Sequence, residues 1–162
     1  MADAAFEGGN YTKEPIKGLK AGGRHWASWG LSPEWYRQEL YKRFGHQNVE
    51  DHMRNFWEAF FGAKDANNLI TEAITWQHNN VGDTPGFNGD VEQALRSIKA
   101  KVLYMPCQTD LYFPPEDSER ESRFLTDVQY VPVPSIWGHL AGLGINPEDN
   151  DFLNQKIADF LK

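Results

Sequence analysis

The stretch that decides the fold is KVLYMPCQTDLYFPPEDSERESRFLTDVQYVPV, Lys101–Val133. Its first seven residues form a compact apolar run ending at Cys107, suited to a strand buried on both faces, and VQYVPV, Val128–Val133, is a second run of the same kind. Between them FPPEDSERESRFL opens with prolines followed by acids, the order that starts a helix. Strand, helix, strand is the repeating unit of a parallel sheet. Two strands buried on both faces need neighbours, because an isolated pair leaves its outer edges and much apolar area open.

Outward from this unit the pattern is helical. Asn146, Pro147, Glu148 and Asp149 cap a closing helix whose expected apolar face is Phe152, Leu153, Ile157, Phe160 and Leu161. Upstream, Ser32-Pro33-Glu34 is an N-cap, a first-turn proline and an acid, predicting a helix to about Phe44. From Asn48 the residues Val49, Met53, Phe56, Trp57, Phe60 and Phe61 recur at helical spacing. Asp65 caps a further helix with Leu69, Ile70, Ala73 and Ile74 on one side. The turn-rich NNVGDTPGFNGD, Asn79–Asp90, closes this block before a short helix carrying Val91, Ala94, Leu95 and Ile98. The expected division is a helical region over 1–98 and a strand-helix-strand-helix region over 99–162.

Composition narrows the function. A net charge of -7 without a basic face argues against nucleic acid, and no window approaches a membrane span. The N-terminus MADAAFEGGNY lacks a signal-peptide pattern, so a cytoplasmic location is expected. The lone Cys107 offers neither a disulfide nor a cysteine-based zinc site, and no histidine pair has the i, i+4 spacing of a helical metal site, so no metal is expected. The aromatic block Trp26, Trp29, Trp35, Tyr36, Phe56, Trp57, Phe60 and Phe61 reads as helix packing before it reads as an acyl pocket.

In open parallel sheets reactive groups gather beyond the C-terminal ends of the strands. Asp110 stands there after the first strand, and His139, in VPSIWGHLAG, after the second. A separation of one strand-helix-strand unit places a carboxylate and an imidazole side by side, the orienting half of a Ser-His-Asp device. Pattern alone leaves two readings open: Asp110 as a helix cap with His139 as a structural turn histidine, or the two as an acid and a base.

At these residues the chain resembles a known family. MPCQTDLYFPPED with VPSIWGHLAG resembles the C-terminal signature of α/β-hydrolase-fold acyltransferases of the homoserine O-acetyltransferase family. FEGGNY, GLKAGGRHWASWGLSPEWYRQELYKRFG, DANNLI and ALRSIKAKVLYMP extend the likeness over nearly the whole chain. The resemblance implies the C-terminal part of an α/β-hydrolase fold, a helical lid followed by the last two parallel strands. It also implies Asp110 as triad acid, His139 as base and Arg24 as a lid residue near substrate. Acyl-CoA is the possible co-substrate, and no bound cofactor is expected.

Two departures qualify that likeness. The family's third member is a serine on a G-x-S-x-G elbow, and no serine of this chain, Ser28, Ser32, Ser97, Ser118, Ser122 and Ser135 included, stands in that pattern. And Leu140 follows the histidine where homoserine-acylating members carry an Asp suited to a substrate ammonium. The expectation is therefore a truncated or split relative of serine-dependent O-acyltransferases and esterases, inactive alone and partnered by an N-terminal half, a full-length homologue or a second copy. The alternative is a catalytically inactive paralogue acting as a binding module.

Overall fold

The computed structural model describes residues 3–162. The chain forms two compact units, one made of residues up to Ser28 with Tyr36–Asn79, the other of Trp29–Trp35 with Asn80–Lys162.

The first unit is helical. Helix α1 (Ile16–Gly30) runs through the glycine-rich stretch ahead of the Ser32 cap. Gly23 explains why glycine is tolerated there: a Cβ on it would lie 2.5 Å from the carbonyl oxygen of Trp57, so the backbones meet with no room for a side chain. Trp26 and Phe61 close the same contact with ring centroids 5.6 Å apart.

Helix α2 (Pro33–Arg37) starts as predicted, with the Ser32 hydroxyl accepting from Trp35 N at 3.1 Å. It does not continue to Phe44. Glu39 takes a left-handed conformation, φ 53°, and the chain resumes as a 3-10 turn over Leu40–Phe44. From the Asn48 cap, α3 (Val49–His52) passes into a π-helical turn, Met53–Glu58, and then α4 (Ala59–Gly62). The wider π turn breaks the strict 3.6-residue period, so Trp57 and Phe61 are buried while Phe60 faces outward. His52 is fully buried and stacks on Phe56 with centroids 5.1 Å apart. Helix α5 (Ala66–His78) begins at Asp65, whose carboxylate accepts from Asn68 N at 2.8 Å.

The second unit holds the sheet. Helix α6 (Val91–Arg96) is capped by Asp90 and precedes β1 (Val102–Tyr104). Helix α7 (Pro115–Ser122) crosses to β2 (Val128–Tyr130), which pairs with β1 in parallel at Val102↔Val128, Leu103↔Gln129 and Tyr104↔Tyr130. Beyond the strands the ladder reappears as a bridge between Cys107 and Val133. The strands are half-exposed rather than buried on both faces, because among the described residues the sheet has only these two.

Helix α8 (Pro147–Phe160) ends the chain with Asp149 buried in its first turn. Its predicted apolar face is only partly covered: Ile157 and Leu161 are exposed.

Candidate active site

The site is built where the ladder ends. The bridge brings two loops together: Val133 N donates to Pro106 O at 2.8 Å, and Gln108 N donates to Val133 O at 3.0 Å. The first loop leads to Asp110 and the second to His139. His139 Nδ1 lies 3.1 Å from Asp110 Oδ2. A carboxylate accepts, so Nδ1 carries the hydrogen and Nε2 keeps the lone pair available to take a proton.

Both partners are held from the same two residues. Asp110 Oδ1 accepts from the backbone N–H of Tyr112 at 2.7 Å and of Phe113 at 3.1 Å, an Asx turn that fixes the carboxylate. The rings of those residues lie against the imidazole, with centroids 4.4 Å away for Tyr112 and 5.4 Å for Phe113. Asp110 is 8 % exposed, whereas the His139 side chain is 33 % exposed. A sheltered carboxylate thus lies behind a more open imidazole, and of the two only the imidazole is placed to meet another molecule.

The loop under His139 is pinned from several sides. Gly138 takes φ +57°, and a Cβ on it would come within 3.2 Å of Gly30 O, Leu31 Cα and Ser32 N. The Ser32 hydroxyl donates to Ile136 O at 2.6 Å. Thr109 Oγ1 donates to Ser135 O at 2.8 Å and accepts from Gly138 N at 3.2 Å, tying the residue before Asp110 to the residue before His139. Thr109 was legible only as a neighbour of Asp110, and Ser135 only as a serine lacking an elbow; their roles here depend on contacts across 26 or more residues.

Of the other residues singled out by sequence, Leu140 is buried directly after His139. Arg24 belongs to the first unit, where its guanidinium donates twice to Glu50, at 2.7 and 2.9 Å, and once to Glu58 at 2.5 Å. That pairing holds the Glu50 carboxyl down to about 2. Among the described residues no group of three or more His, Cys, Asp or Glu side chains is placed to hold a metal ion, and no helix is long and apolar enough to cross a membrane.

No protein-family model matches the chain. Curated relatives do. An ethyl acetate hydrolase of Pseudomonas veronii is 32% identical over 161 residues, covering 98% of this chain and 46% of the relative. A probable esterase of Corynebacterium glutamicum is 34% identical over 141 residues, covering 86% of this chain and 40% of the relative. A homoserine O-acetyltransferase of Trichormus variabilis is 27% identical over 152 residues, covering 88% and 40%. Among solved structures, that of the acetyl esterase MekB superposes with a TM-score of 0.92 at 32% identity, over 98% of this chain and 46% of that one.

The fold is thus α/β, the C-terminal part of an α/β-hydrolase fold, and the chain is related to α/β-hydrolase esterases, with homoserine O-acetyltransferase at lower identity. The chain spans about half the length of the curated relatives it matches.

Proposed function

We propose that Asp110 and His139 are the acid and base of a serine-dependent ester hydrolase acting on small acyl esters. The observation that carries this reading is the contact between Asp110 Oδ2 and His139 Nδ1, at the ends of adjacent parallel strands. Its support lies also in the relatives, which are named as an ethyl acetate hydrolase and a probable esterase.

The chemistry derives from the ring. A serine hydroxyl presented to Nε2 gives up its proton as its oxygen bonds to the ester carbonyl carbon. The imidazolium so formed is stabilised by Asp110 through Nδ1–H. The proton then passes to the departing alkoxide, leaving an acyl-serine. Water, deprotonated by the same Nε2, releases the acid and restores the serine.

None of the 162 residues supplies a G-x-S-x-G serine, so in this reading the hydroxyl comes from polypeptide outside these residues. Leu140 favours water over an amino-bearing alcohol as acceptor, because an apolar side chain beside the base makes no charge-assisted bond to an ammonium. Acyl-CoA is a donor only if transfer to an alcohol replaces hydrolysis.

A chimera tests this. Residues 1–162 replace the matching segment of the Pseudomonas veronii relative, and hydrolysis of p-nitrophenyl acetate is measured. Turnover that falls by at least about 10³-fold in His139→Ala supports the assignment. Turnover indifferent to His139→Ala sinks it.

A further inference from the structure

Between the bridge at Val133 and the 3-10 turn Gly138–Gly142 that carries His139, residues 134–137 have no regular structure, yet they must deliver His139 to Asp110 within hydrogen-bond reach. Their centre is Ser135. The backbone carbonyl of Ser135 accepts from Thr109 Oγ1 at 2.8 Å and from Cys107 Sγ at 3.4 Å, both on the loop that leads to Asp110. The Ser135 hydroxyl accepts from Trp137 N at 3.0 Å and donates to Asp149 Oδ2 at 2.7 Å. Ser135 and Asp149 are each 5 % exposed.

Asp149 lies in the first turn of α8, where the partial positive charge of the helix N-terminus favours a carboxylate. A first-turn acid needs no burial for that purpose, and exposed Glu148 beside it serves equally well. The buried position of Asp149 is instead matched to the Ser135 hydroxyl, in a bond strengthened by low dielectric and by the acceptor's charge.

We infer that Ser135 and Asp149 are positioning residues for His139: their buried hydrogen bond sets the turn Ser135–Gly138 and through it the reach of Nδ1 to Asp110 Oδ2. The chain of contacts is continuous. Asp149 orients the Ser135 hydroxyl, which fixes Trp137 N; Thr109 fixes Ser135 O and Gly138 N; His139 comes next in the chain. The inference rests on the reading of Asp110 and His139 as a functional pair.

The test is proton NMR on the 162-residue chain, following the His139 Nδ1–H signal and its exchange with solvent. In the unaltered chain the signal is expected downfield and is lost in Asp110→Asn. Ser135→Ala, and independently Asp149→Ala should one of them fail to fold, is expected to speed its exchange about tenfold or more. Asp149→Asn, which keeps an acceptor for the Ser135 hydroxyl, is expected to restore exchange to near the original rate. Leu153→Ala, half-buried on the same helix, controls for general loosening. Exchange in Ser135→Ala and Asp149→Ala equal to that in Leu153→Ala overturns the positioning role while leaving the pair intact. Absence of any signal that depends on Asp110 overturns the pair and this inference with it.

Discussion

Trp35 and Trp137 meet edge to face, ring centroids 5.7 Å apart and planes at 73°, two residues before the histidine. Trp35 is completely buried. This contact is the apolar footing of the His139 loop, next to the hydrogen bond from Ser32 to Ile136 O. Trp35→Ala is expected to destabilise the protein by about 3–5 kcal/mol, read from urea unfolding. A loss below about 1 kcal/mol would mean that the loop does not depend on this packing.

Gly138 is the most constrained point of the site. Its φ of +57° disfavours an L side chain by about 1–2 kcal/mol. The three backbone atoms at 3.2 Å add a shift of the main chain. Gly138→Ala should therefore cost more than about 2 kcal/mol in thermal or urea unfolding. An unchanged melting temperature contradicts the geometry.

His52 predicts an acid sensitivity located in the first unit. Burial, with His46 adding to it, pushes the imidazole down to about 4. The unfolded chain takes up this proton near pH 6.5 and the folded one only near pH 4. The contribution of neutral His52 is therefore complete above about pH 6.5 and is lost as pH falls from there to about 4, amounting to about 3 kcal/mol. The fall in urea midpoint from about pH 7 to about pH 4.5 should be smaller in His52→Phe than in the unaltered chain. Equal slopes refute the assignment.

Arg24 predicts a salt-dependent effect. Its guanidinium joins Glu50 to Glu58 on the surface of the first unit, and a single ammonium cannot make the same fork. Arg24→Lys and Arg24→Ala should both lower the melting temperature at low ionic strength, with the difference shrinking in about 0.5 M salt. The Glu50 partner is favourable above its ordinary range near 4.5 and is lost as pH falls toward about 2. A salt-independent effect would point to packing by the aliphatic stem.

The pair at the site was legible because it depends on local pattern: apolar runs give strands, and parallel strands put the loops at their C-terminal ends on one edge. The caps at Ser32 and Asp65 were legible for the same reason, since each side chain bonds a backbone N–H three residues on. What escaped the sequence depends on partners far along the chain. Glu39 adopts its left-handed turn with no glycine to announce it. The π turn shifts the aromatic face by a fraction of a turn that no periodicity count resolves. The strands' half-exposure, too, is a property of the sheet's neighbours and not of VLY or VQY. Ser135 and Asp149 lie 14 residues apart, and neither stands in a motif that points to the other.

The close approach at Gly23 gives neighbouring glycines opposite design values. In a helix interior alanine outscores glycine by about 1 kcal/mol, and at Gly22 the added methyl would rest at ordinary contact distance, 3.5 Å from the Phe61 ring. At Gly23 the same methyl would strike a main-chain oxygen that cannot rotate away. Thermostabilising this protein by routine helix-glycine replacement would thus succeed at one position and unseat α1 at the next, a distinction invisible to any scale that scores residues one at a time.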